Sequence, residues 1–323
     1  MSMRAALLTL ALAAALPTAS GAAFQDVLDT PARISALAQR SPLSALAHAG
    51  GRLVAAGQRG HVLWSDDGGD VWHQASVPVS SDLVALCFAD AKQGWAAGHD
   101  GVILHTADGG HSWQRQFDGR KLGAQGAENP LLDIWFADAN EGWAVGAFGL
   151  ILHTADGGAH WETVAQDQSD NPKALHLYAV RGIAGQIYIA GEQGLLLRRN
   201  AKGRFEALPQ PYTGTLFGIA GDASVLLIHG LRGNALRSVD EGRSWQPIAT
   251  GLQVGLTASA KGEDGRWYLA SQAGHVLVSD DGARTFLPIK LARPQPVSAL
   301  TFSSSGLVIA GPRGVQAAVE ARK

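Results

Sequence analysis

Five aspartates recur at one fixed place in an eight-residue phrase, so a carboxylate held in a loop of Asp, Gly and Ser is the first chemistry to weigh. The phrase Ser/Thr-x-Asp-x-Gly-x-x-Trp carries Asp67 with Trp72, Asp108 with Trp113, Asp156 with Trp161 and Asp240 with Trp245. Two decayed copies complete the series. One holds Asp281 but shifts its glycine and ends on Phe286, and the other, 200–205, has lost the aspartate and one residue. A calcium loop wants several closely spaced carboxylates and carbonyls, whereas Thr-Ala-Asp-Gly-Gly offers one carboxylate per copy. These Asp-boxes therefore read as turns: the carboxylate accepts backbone N–H groups, the glycines supply positive φ, and the aromatic residue packs inward. A second phrase, a glycine-bounded tetrad, stands at 57–60, 98–101, 146–149, 191–194, 230–233 and 311–314, with Ser271 replacing the first glycine at 271–274. No helix follows any of them, which removes the phosphate-cradle reading of glycine-rich loops. His105 and His153 occupy one repeated position, as do Trp95, Trp143 and Trp267, and a repeated position marks packing rather than metal ligation.

The elements that must hold these phrases recur about every forty residues. Within one unit the pattern predicts strands over 83–89, 94–98, 102–106 and 113–117, with the tetrad between the second and third and the box between the third and fourth. A helical period appears nowhere beyond the first residues. A lone four-stranded sheet of this kind has two apolar faces that only neighbouring copies can cover, so the units read as blades. Seven tetrads predict an all-β, seven-bladed β-propeller of four-stranded antiparallel blades. The last unit runs out before its box and fourth strand, and the segment Phe24 to Pro31 resembles fourth strands elsewhere. The expectation is that this N-terminal strand closes the last blade, with Pro31 tolerated on an edge.

The chain has 323 residues, 46% of them hydrophobic and 17% charged, with 40 glycines and 13 prolines spread evenly. That composition describes a compact chain full of tight turns and excludes disorder. A net charge of −2 gives no global reason to bind nucleic acid or an anionic membrane face. A single cysteine, Cys87, excludes a disulfide framework and a thiolate metal cluster, and its apolar neighbours predict a buried thiol. Residues 1–23 read as a secretory signal peptide: a short basic start, twelve apolar residues and a small-residue stretch. The alternative, an uncleaved anchor, is disfavoured by the length of the apolar run. The propeller domain is then 24–323, exported to a periplasmic or lumen-like compartment, with no membrane span in the mature chain.

The leader, the Asp-boxes with an aromatic in eighth place, and phrases such as Gly94-Trp95-Ala96-Ala97-Gly98-His99-Asp100-Gly101-Val102-Ile103-Leu104-His105-Thr106 resemble the photosystem II stability/assembly factor family of BNR-type propellers. The near copy from Gly142 to Thr154 strengthens the likeness, which covers the mature chain. What the resemblance implies is a non-enzymatic assembly factor, without cofactor or metal, that holds membrane-protein subunits on the exported side; the family also carries an arginine cluster implicated in that contact. Asp-boxes alone are less specific, because sialidases share them. A sialidase-like hydrolase needs an arginine cluster, a Tyr with a Glu partner and an Asp acid on one face. Of four tyrosines, Tyr178, Tyr188 and Tyr268 fall in strand-like runs and only Tyr212 lies in a loop. A glycan-binding propeller remains the other alternative. Tetrad turns share a face with the loops from each fourth strand to the next first strand. That face is expected to carry Arg59, Arg232 and Arg313 at third tetrad positions, with Arg120, Lys121 and Lys173 in the long loops, as a mixed basic patch on a monomeric ring.

Overall fold

The computed structural model describes residues 25–123, 126–304 and 306–318. Seven antiparallel sheets follow one another along the chain, each meandering outward from a first, inner strand. The inner strands are Leu43–Ala49, Leu83–Phe88, Leu131–Phe136, Leu177–Ile183, Leu216–Gly221, Leu256–Lys261 and Ala299–Ser303, and they define blades 1 to 7. Neighbouring inner strands contact each other around the whole ring, including blade 1 with blade 7. The protein is a seven-bladed β-propeller.

The second strands explain why the units cannot stand alone. Gly94–Gly98, Gly142–Gly146, Leu226–Gly230 and Trp267–Ser271 are buried along their whole length, because both faces of each sheet are covered by adjacent blades. Trp95, fully buried, leaves its own blade to stack on Phe136 of blade 3 at 3.5 Å between ring centroids, and its Nε1 donates to the Gly157 carbonyl at 3.1 Å. Trp143 and Trp267 are likewise buried. Cys87 accepts the Phe136 amide, and burial pushes its thiol up to about 11.

The tetrads tie the second and third strands to the incoming loop of the same blade. His99 N donates to the Asp82 carbonyl at 2.9 Å, Glu192 N to His176 at 3.0 Å and Leu231 N to Thr215 at 3.0 Å. Tetrad turns and incoming loops therefore share one face, as the sequence suggests. A Cβ at Gly98 would collide with the Asp82 carbonyl, and one at Gly233 with the Leu252 carbonyl of the next loop, which accounts for both bounding glycines.

The N-terminal segment departs from expectation. Among the described residues blade 7 has three strands, and 25–31 pairs with none of them; Phe24 and the leader 1–23 lie outside the described residues. Asp26 instead caps the 3₁₀ turn Val27–Asp29, its Oδ1 accepting Leu28 N at 2.9 Å. Leu28 is buried in the cluster that holds Val77, Val79 and Trp113, while Ser80 N donates to Val27 O at 2.8 Å and Ala32 N to Val77 O at 3.0 Å. The segment is thus an arm laid over blades 1 and 2. It returns at Gln39, whose carbonyl abuts Gly314 of blade 7, while Ala38 packs among Leu43, Val308 and Val315. This loop contact, which Gly233 and Leu252 mirror elsewhere, adds to the packing of the strands of blade 1 against those of blade 7 that closes the ring. The cause of the miss is an ion-pair set 86 to 91 residues away in sequence: Asp29 with Arg115 at 3.1 Å and with Arg120 at 2.9 Å.

Candidate docking face and channel mouth

Each Asp-box closes on itself. Thr106 Oγ1 donates to Asp108 Oδ1 at 2.7 Å and accepts Gly110 N at 3.0 Å; Ser112 N and its hydroxyl then donate to the two Asp108 oxygens, and Trp113 Nε1 to Gly110 O at 3.1 Å. Asp240 repeats the pattern with Ser238, Ser244 and Trp245, Asp67 accepts Val71 N with Trp72 bonded to Gly69 O, and Asp281 takes Thr285 beside the buried Phe286. Asp156 accepts His160 N at 2.9 Å, and Trp161 meets Phe136 edge-on at 5.8 Å. The Ser244 hydroxyl and amide, with Ser238, hold the Asp240 carboxyl down at about 2. Local donors thus take up the carboxylate oxygens that a cation would need. His105 and His153 bond Gln93 and Glu141 beside their tryptophans.

The tetrad face displays the basic residues but does not gather them. In the first five blades the third tetrad residue is left-handed: Arg59 (φ 58°), Asp100 (58°), Phe148 (55°), Gln193 (53°) and Arg232 (55°). Non-glycine residues seldom adopt that conformation, and here it splays the side chain away from the turn. Arg59, Arg232, Arg313 and Lys173 are exposed. Arg313 and Arg59 sit in adjacent blades 7 and 1; Lys173 and Arg232 belong to the far side, blades 4 and 5. Arg232 lines a groove of about 350 Å³ with Tyr212 and the 250–253 loop. Arg120 and Lys121 lie in the loop beside the second tetrad, where Arg120 pairs with Asp118 and Asp29 and Lys121 Nζ donates to Gln116 O at 2.8 Å, contacts that tie the arm and its loop. Phe148 (60% exposed) and Leu231 (37%) add apolar points to the same face.

Sequence reasoning missed the channel. At the start of six inner strands the pairing register shifts by one residue, a bulge that re-aims the extra side chain. Val84, Leu132, Tyr178 and Phe217 then line the mouth over blades 2 to 5, and Ser44, Thr257 and Ser298 line it over blades 1, 6 and 7. Tyr178 and Phe217 meet edge-on at 5.4 Å. The cavity behind them holds about 410 Å³. Deeper in, buried Asp133 accepts Val180 N at 2.8 Å and pairs with Arg181 of blade 4; burial pushes its carboxyl up, opposed by that guanidinium. His229 of blade 5 bonds Leu256 O and Ser259 Oγ of blade 6, each at 3.0 Å, and burial pushes it down to about 4. The missed signal lies in the repeat itself. Position three of the inner strand, counted in blade 7 from Val297, is Ala45, Ala85, Asp133, Ala179, Gly218, Ala258 and Ala299, and a Cβ on Gly218 would collide with the His229 ring.

Residues 45–126 and 121–316 match the sequence model of the photosynthesis system II assembly factor YCF48. The chain belongs to the YCF48 family. It is 25% identical over 266 residues to a photosystem II assembly lipoprotein Ycf48 of Synechococcus sp. (strain CC9902), covering 77% of this chain and 76% of that one. A chloroplastic photosystem II stability/assembly factor HCF136 of Oryza sativa subsp. japonica is 34% identical over 65 residues, 18% of this chain and 15% of its own. Among solved structures, "YCF48 bound to D1 peptide" superposes with a TM-score of 0.68 at 18% identity, over 86% of this chain and 92% of that one. YCF48 from Cyanidioschyzon merolae gives 0.68 at 18% identity, over 88% and 97%. The WD40 propeller domain of Doa1 gives 0.67 at 10% identity, over 92% and 97%, so at that distance the likeness is one of fold.

Proposed function

We propose that the protein is an exported, non-enzymatic assembly factor that holds segments of membrane-protein subunits against its tetrad face. The observation that carries this reading is the YCF48 family match over nearly the whole ring. A solved YCF48 structure is named for a bound D1 peptide, and the names of two relatives place them as a lipoprotein and as chloroplastic, which supports peptide binding in an exported compartment here. Among the described residues no helix is long and apolar enough to cross a membrane. The tetrad face suits an extended polypeptide: Arg59, Arg313 and Arg232 supply fork-shaped donors, and Phe148 and Leu231 supply apolar contacts at separate points. Against a hydrolase, the Tyr212 hydroxyl donates to the Leu231 carbonyl and not to a carboxylate. Glu192, next to Tyr178, already accepts His176 N at 2.9 Å.

Cross-linking and recovery of partners from membranes tests the reading, with wild type beside the triple variant Arg59→Ala, Arg232→Ala, Arg313→Ala. Loss of specific membrane-protein partners in the variant is expected. Equal recovery removes the arginines from recognition, and turnover of a sialyl glycoside by the wild type overturns the non-enzymatic reading.

A further inference from the structure

In the channel the repeat is broken by a buried carboxylate and its cation. Arg181 occupies the place of Ala47, Ala220 and Ala260, and Asp133 the place of an alanine in five blades. Burying the Asp133 carboxylate carries a desolvation cost that its pairing with the half-exposed Arg181 offsets only in part, so the pair is a poor source of stability compared with the alanines it displaces. The pair engages one end of the guanidinium: Arg181 Nη1 donates to Asp133 and, at 2.6 Å, to its neighbour's carbonyl, Val180 O. Nε and Nη2, the parallel edge of the fork, have no acceptor among the described residues, and the side chain is 41% exposed in the channel. That edge has the geometry that takes a carboxylate through two N–H groups. Three residues along the strand, about 10 Å toward the mouth, Tyr178 and Phe217 form an aromatic wall. The volume of about 410 Å³ falls in the range of small-molecule pockets.

We propose that the central channel is a binding site for an organic carboxylate with an apolar, aromatic-sized body, its carboxylate on the free edge of Arg181 and its body against Tyr178 and Phe217. Asp133 is a positioning residue: it fixes the guanidinium so that the outer edge faces the channel. Ser259, held by His229, and the hydroxyls of Ser44 and Ser298 leave the opposite wall polar, which favours a ligand with one apolar side. The site uses none of the arginines on the tetrad face. A free acid and the last residue of a polypeptide share this chemistry.

Titration calorimetry on the purified protein with 3-phenylpropionate, 3-phenylpropionamide and acetate tests the site. Saturable binding of the acid is expected, about tenfold or more tighter than the amide, with no saturation by acetate. Arg181→Ala alone strands the buried Asp133, so the decisive variant is Asp133→Ala with Arg181→Ala, which installs the residues other blades carry at both positions. It should fold and lose the preference for acid over amide, whereas Phe217→Ala should weaken both ligands alike. A pentapeptide ending in Phe, as free acid and as amide, identifies the source: tighter binding than phenylpropionate assigns the site to a chain terminus, and weaker binding to a free acid. Absence of saturable binding by any of these acids, equal binding of acid and amide, or an acid preference that survives in the double variant overturns the proposal.

Discussion

The outer turns and the channel wall of this propeller are built on opposite terms. Around the rim one hydrogen-bond pattern returns in blades 1, 2, 3, 5 and 6, and even the decayed turn of blade 4 reproduces it: Asn200 Oδ1 accepts Lys202 N and Arg204 N, and the buried Phe205 takes the place of the tryptophan. Deep in the channel, Asp133 and His229 are each carried by a single blade and reach across to the next, Asp133 to blade 4 and His229 to blade 6. Repetition at the rim serves a task that every blade shares, closing its edge. Departure in the channel has no such shared task behind it.

Variants at both places can break that contrast, and the largest effect is expected at the rim. Trp113 is 4% exposed, and Trp113→Ala should cost about 3 kcal/mol or more, read as a fall in the thermal midpoint. A near-neutral result would mean that the box tryptophans are not what holds the rim together. The channel should instead show itself in pH dependence. His229 is held down at about 4 in the folded chain against about 6.5 when unfolded. The unfolded chain therefore binds the extra proton between those values, and stability present above pH 6.5 is lost as the pH falls toward 4, by about 3 kcal/mol in all. His229→Ala, the residue that several other blades carry there, should flatten that slope in a denaturant titration series even if it lowers stability at pH 7. Thr106→Ala removes the hydroxyl shared by Asp108 and Gly110 N and should cost about 1 to 2 kcal/mol. Equal losses from the matching changes in blades 1 and 5 would sharpen the case for one repeated design.

The arm gives the smallest effect. Asp29, lowered to about 2 by Arg120 and Arg115, contributes fully above its unfolded pKa near 4 and loses that contribution as the pH drops toward 2. Because these side chains are exposed, raised salt at neutral pH should loosen the arm before the ring melts. Faster proteolysis at 30–37 in high salt, with an unchanged thermal midpoint, is the expected record, and Asp29→Asn should produce it at low salt.

The blade count, strand order, box turns and buried tryptophans were legible because each is local and repeated many times, so one noisy copy is corrected by six others. The arm was not, because Phe24 to Pro31 shares the apolar spacing of an outer strand while Asp26 and Asp29 redirect it through partners in blade 2 that no local pattern reveals. The partners of Arg120 and Lys121 were hidden for the same reason: a basic residue in a long loop looks free until its carboxylate or carbonyl is found. The channel was hidden differently. Its signal was present in the aligned copies, as an aspartate among alanines and a glycine opposite a histidine, and it is visible only when a repeat is read for its exceptions.

The left-handed residue at the third tetrad position has a consequence for how such a ring changes over time. The turn is fixed by its two glycines and by backbone bonds to the incoming loop, so the residue between them can be Arg, Asp, Phe or Gln without altering the path of the chain. The ring is in effect a keyboard on which each of the first five blades offers one interchangeable key. Point substitutions at these positions can change what the face presents, one blade at a time, while the folding problem stays solved.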